Sequence, residues 1–142
     1  MAEPIALSGE AVRPLPSLTR LSAEAAPVLR LLHHNIYEYS RGVRALFLMT
    51  LSRRELRLAL DRLGAQGIEC FVQELGPAKA NLFFGRPAHV AVARALVTRP
   101  LNTLTAEEDF MLGTLLGYDC EQQCRRYLSR SARAAPLAVA AE

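Results

Sequence analysis

Apolar residues in the stretch R-A-L-F-L-M-T-L, Arg44 to Leu51, run almost unbroken over the length of a strand, the pattern of a strand covered on both faces. The preceding H-H-N-I-Y-E-Y, His33 to Tyr39, alternates and is expected to be extended as well. S-R-R-E then forms a capping box, with Ser52 as cap and Glu55 at the third helical position. Leu56, Ala59, Leu60 and Leu63 share one face of the helix that follows; Arg53, Arg57, Asp61 and Arg62 share the other; Gly64 and Gly67 are its stop signals. I-E-C-F-V-Q-E-L, Ile68 to Leu75, predicts a second strand. After a turn at Gly76 and Pro77, A-N-L-F-F-G predicts a third strand ending at Gly85. Pro87 opens a short helix that lasts until Pro100. A second capping box, T-A-E-E with Thr105 and Glu108, predicts the longest helix, from Ala106 to about Arg130.

This order of elements defines an α+β domain, a small and mainly antiparallel three-stranded sheet covered by about four to five helices. Both edges of so narrow a sheet lie near its centre, so an uncovered edge favours pairing in a homodimer. Residues 1–24 carry Pro4, Gly9, Pro14 and Pro16 without a sustained period and read as a flexible N-terminal arm. Residues 132–142, rich in alanine, read as a disordered C-terminal tail, which leaves a single domain over 25–131.

A chain of 142 residues is long enough to bury a core without staples. Its apolar runs stop well short of the ~18–20 residues of a membrane span, and the acidic, proline-broken start M-A-E-P-I lacks the basic region of a secretory signal. A cytoplasmic location is expected, where three unpaired cysteines are unremarkable. The net charge of +3 is carried almost entirely by arginine, Lys79 being the only lysine. Without a lysine-rich block or an aromatic basic motif, nucleic acid is not the expected partner. Arginine forks grouped at Arg41 and Arg44 and at Arg125 and Arg126 fit an acidic protein.

Candidate chemistry concentrates in two places. Tyr37, Glu38, Tyr39, Asp119 and Tyr127 can form a polar network, in which a buried carboxylate near histidine would suit acid or base work. On an extended backbone His33 and His34 face opposite ways, so at most one of them belongs to any one site. Gly113, Gly117, Cys120 and Cys124 fall on one stripe of the expected long helix; small residues there permit close packing. The alternative is a haem or zinc site built from His33 or His34 with Cys120 or Cys124, although no C-x-x-C knuckle is present. No catalytic residues are assigned, since the chain has no G-x-S-x-G, P-loop or G-x-G-x-x-G, and no cofactor is expected on the first reading.

Taken together, H-H-N-I-Y-E-Y-S-R-G-V-R-A-L-F-L-M-T-L, N-L-F-F-G and E-E-D-F-M-L-G-T-L-L-G-Y-D-C-E-Q-Q-C-R-R-Y-L resemble the bacterial DUF2023 family, whose function is unassigned. The resemblance covers roughly residues 31 to 130. It implies a small three-stranded α+β fold with about five helices that forms a homodimer. Members of the family tend to occur beside or fused to flavodoxin, which implies a small accessory protein that binds a flavodoxin-like acidic redox partner without catalysis of its own. On that view Arg41, Arg44, Arg125 and Arg126 carry docking, and His34, Tyr37, Glu38, Tyr118 and Asp119 shape a shared pocket.

Overall fold

The most enclosed segment is the third strand, in which every residue from Ala80 to Gly85 is buried. The computed structural model describes residues 16–131, with side chains from residue 26 onward. Its elements are α1 (Pro16–Ser40), β1 (Leu46–Ser52), α2 (Arg53–Ala65), β2 (Glu69–Glu74), β3 (Lys79–Gly85), α3 (Pro87–Leu96), a 3-10 turn (Leu101–Thr103), α4 (Ala106–Leu115) and α5 (Cys120–Arg130). The sheet order is β1-β3-β2, with β3 antiparallel to both neighbours. The α+β assignment holds: among the described residues a three-stranded antiparallel sheet is packed with five α-helices.

Helices cover both faces of the sheet. Phe47, Met49, Leu51, Ala80, Leu82 and Phe84 meet Leu32 and Ile36 of α1 and Leu56, Ala59 and Leu63 of α2. On the opposite face Leu46, Leu48, Phe71 and Phe83 meet Val90 and Ala93 of α3, Leu104, and Leu112 and Leu116 at α4. Stacked rings mark the two cores, Phe47 on Phe84 at 5.1 Å and Phe71 on Phe83 at 4.6 Å between centroids. Each fully buried Leu or Phe contributes about 1.5–3 kcal/mol of transfer free energy. One polar row crosses all three strands at their common register: Thr50 Oγ1 donates to Asn81 Oδ1 at 2.7 Å, and Asn81 Nδ2 donates to Gln73 Oε1 at 3.0 Å. The buried Asn81 amide is thereby satisfied from both sides.

Both capping boxes form. Ser52 and Glu55 exchange bonds of 2.8 and 3.2 Å at the start of α2, and Thr105 and Glu108 exchange bonds of 2.9 and 3.1 Å at the start of α4. At the end of β3, Gly85 has φ +153°, and a Cβ there would lie 2.0 Å from the Ala45 carbonyl oxygen. Only glycine fits that approach.

Three expectations are corrected. His33 to Tyr39 is helical, because Val28, Leu29, Leu32, Ile36 and Tyr39 repeat at helical spacing and pack on the first core. α1 begins at Pro16, so residues 16–24 of the expected arm are helical; the rest of the arm and the tail from 132 lie outside the described residues. The single long helix from Ala106 is two helices, broken where Gly117 takes φ +77° and Asp119 caps α5 by accepting from the Gln122 amide at 2.9 Å. The small-residue stripe is therefore split. Gly113 serves the contact between α4 and α5, since its missing Cβ is the space taken by the buried Gln123 side chain, whose Oε1 would lie 1.9 Å from it. No helix among the described residues is long and apolar enough to cross a membrane.

Candidate docking lip

Among the described residues three helices end in the same way. At α1 the Val43 amide bonds to the Glu38 carbonyl and the Gly42 amide to that of Tyr39, with Gly42 at φ +75°. At α2 Ile68 bonds back to Leu63 and Gly67 to Gly64; at α4 Tyr118 bonds back to Gly113 and Gly117 to Thr114. These are Schellman motifs, in which the residue after the left-handed glycine ordinarily packs its apolar side chain onto the helix it has left. Ile68 does so and is buried. Val43 and Tyr118 do not: they are 63% and 50% exposed.

Arg44 joins these two open ends. Its guanidinium donates to the Leu116 carbonyl at 3.3 Å, pairs with Glu38 at 3.5 Å and lies 4.5 Å from the centre of the Phe47 ring. A Cβ on Gly117 would sit 4.0 Å from the Arg44 side chain, which places the α4 end directly against it. Glu38 also faces His34 at 3.7 Å, one helical turn earlier. Tyr37, 59% exposed, carries the Arg41 guanidinium 6.0 Å above its ring. Beyond Gly42 lies the exposed Arg86, whose Nη2 would be 3.8 Å from a Cβ on that glycine. The result is a lip in which the exposed apolar groups of Tyr37, Val43 and Tyr118 stand among Arg41, Arg44 and Arg86, with Glu38 as the acidic member.

The residues expected to form one pocket are only partly brought together. His34, Glu38 and Arg44 form a connected chain that reaches the turn before Tyr118, but Tyr37 points to solvent, and the Asp119 carboxylate is used as a helix cap. A separate cleft of about 860 Å³ lies between α4, α5 and β1; it is floored by Leu48, Leu104, Leu112 and Leu116 and rimmed by Tyr118 and Arg125. His34, Tyr37, Glu38 and Asp119 do not line it. The four docking arginines also differ. Arg126 clasps Asp109 at 2.6 and 3.2 Å, and Arg130 reaches the same carboxylate at 3.1 Å, so both tie α5 to α4. This pairing with Asp109 holds the Arg126 guanidinium above its ordinary pKa. Arg125 pairs with Glu121 one turn away. Arg41 has no carboxylate partner among the described residues. Val43 and Arg86 were not singled out in the sequence; the signal was present in S-R-G-V and L-G-Y-D, where a glycine after a helix is followed by an apolar residue.

The histidine and cysteine alternative finds no shared centre. His33 Nε2 contacts Arg62 on α2, whereas His34 faces Glu38. Among the described residues no three His, Cys, Asp or Glu side chains are placed to hold one metal ion.

A two-layered helical cover on a narrow antiparallel sheet, with charged and aromatic groups gathered at helix ends, defines a small α+β protein. The sequence matches the family described as "Protein of unknown function (DUF2023)" over residues 30–130, more than two thirds of the chain, and the chain belongs to that family. Comparison with curated proteins finds no match.

Proposed function

We propose that this protein is a small cytosolic accessory protein that binds an acidic, flavodoxin-like redox partner through the lip and performs no catalysis itself. The observation that carries this reading is the pair of open Schellman ends. Val43 and Tyr118 stay exposed where such residues ordinarily pack, and Arg44, next to Val43 in the chain, bonds to the Leu116 carbonyl at the end of α4 that Tyr118 follows. An apolar centre ringed by arginine suits a partner with a carboxylate-rich rim, because contact dehydrates the centre while the charges steer encounter. Family resemblance supplies the class of partner. Steering by exposed charges weakens once the Debye length falls to ~8 Å at physiological ionic strength, so the complex is transient and sensitive to salt.

The test is a binding isotherm against a flavodoxin at low and physiological salt. Binding that weakens with salt and is lost in the Arg41→Glu, Arg86→Glu double variant is the expected result. These two positions are preferred to Arg44, which also supports the fold. Absence of binding at low salt rejects the proposal. A homodimer joined along β1 accompanies this reading: β1 is an edge strand, whereas the β2 edge is engaged by Arg94 on the Cys70 carbonyl and by Gln73 on the Arg99 carbonyl.

A further inference from the structure

Two cysteines lie one turn apart at the start of α5. Cys120 is the first residue after the Asp119 cap and Cys124 follows four residues later on the same helix face; both are exposed. Cys124 also borders a hollow of about 280 Å³ whose other walls are Phe110, Tyr127 and Leu128. Phe110 and Tyr127 meet edge to face at 5.7 Å, which gives the hollow firm aromatic sides. Cys70, the third cysteine, is half-buried on β2 against the first core and takes no part.

We propose that Cys120 and Cys124 form a two-thiolate site for a soft monovalent metal ion of the Cu(I) type. Thiolates are the ligands that select such ions over hard ones. The number of donors decides between the soft metals. Structural zinc requires four ligands and catalytic zinc three, and no group of three candidate ligands exists among the described residues, whereas Cu(I) is content with two sulfurs. Spacing decides between a bridging ion and a disulfide. Residues at i and i+4 on a helix have Cβ atoms about 5–6 Å apart. A disulfide draws them to about 3.5–4.5 Å, so direct closure would distort α5, while an ion between the sulfurs spans the wider gap.

Binding releases two protons, one from each thiol, and takes up one monovalent cation, which leaves a complex with a single negative charge. That charge forms in the first turn of α5, where the helix dipole favours it. On the Cys124 side the hollow presents apolar walls to the site. Exposure of both sulfurs permits the ion to be handed to another thiol protein.

The test is an oxygen-free titration of the full chain with Cu(I) in competition with bicinchoninate, a chromophoric Cu(I) chelator. Uptake of one ion per chain is expected in the wild type and in Cys70→Ser. Cys120→Ser or Cys124→Ser should each weaken it roughly a hundredfold or more, the scale of a lost second attachment point. Both serines sit on the surface, and circular dichroism confirms that the variants fold. X-ray absorption of the loaded protein should show two sulfur neighbours. Equal affinity in wild type and Cys120→Ser, a loss confined to Cys70→Ser, or a nitrogen-rich metal environment overturns the proposal.

Discussion

Replacing Gly85 by alanine tests how the lip is held. A Cβ at this position would lie 2.0 Å from the Ala45 carbonyl oxygen and 2.9 Å from its carbon, and the residue has φ +153°. The oxygen cannot turn aside without loss, because it accepts the Arg86 amide at 2.9 Å. Backbone strain at a glycine-only conformation costs ~1–3 kcal/mol. Overpacking against a fixed group adds ~1–3 kcal/mol. A destabilisation of about 4 kcal/mol follows, which for a domain of this size lowers the melting temperature by roughly 10–20 °C. Urea unfolding followed by circular dichroism measures it. Gly64→Ala in α2 is the control: nothing lies within 4 Å of the added methyl, and a gain of up to about 1 kcal/mol is expected from lower chain entropy. If Gly85→Ala unfolds within ~1 kcal/mol of the wild type, the close approach of β3 to Ala45 is wrong, and with it the placement of Arg44 and Arg86.

Two further outcomes follow from the geometry. Arg44→Ala should lose about 1–2 kcal/mol, since the side chain lies over Phe47 and donates to Leu116, whereas Arg41→Ala should stay within about 0.5 kcal/mol; urea unfolding of both separates fold support from surface charge. Glu108 gives a pH signature. The backbone amide of Thr105 bonds to its carboxylate and, with Arg99, holds its pKa below the usual range. Its contribution is present above the unfolded value near ~4.3 and is lost as pH falls through the lower folded value. Glu108→Gln should therefore flatten the acid limb of a plot of stability against pH, and an unchanged limb refutes the cap.

Much of the fold was legible because its signals are local. Both capping boxes stand in the sequence as S-R-R-E and T-A-E-E, and the apolar run from Leu46 to Leu51 gives β1 directly. The misread segments are those where two periods overlap. I-Y-E-Y alternates over four residues, but the longer series Leu29, Leu32, Ile36, Tyr39 is helical, and burial against β1 and β3 settles the matter. The break before α5 was written as a glycine followed two residues later by a capping aspartate, inside a stretch whose apolar spacing continues across it. The site was legible in part. Arg41, Arg44, Glu38 and Tyr118 could be named from residue type, but that Arg44 bonds to a carbonyl 72 positions away is a property of tertiary packing alone. The competing role of Arg126 was hidden for the same reason, because Asp109 lies on another helix.

The sheet order has a consequence for how the chain assembles. β1 and β2 come first and are joined through α2, yet each pairs only with β3, the last strand to be made. With strands spaced about 4.7–4.9 Å apart, the two early strands must wait with an opening of about 10 Å between them. Until residue 85 is available, Phe47 and Leu51 on one side and Cys70 and Val72 on the other have no ladder to join, so a nascent chain that stops before Lys79 exposes two unpaired edges instead of a partial sheet. Insertion of β3 closes both ladders together and completes the first core, while the second core awaits α3 and α4. Closure of the sheet is thus one event of long sequence range, and the two early strands stay unpaired and open to aggregation until β3 arrives.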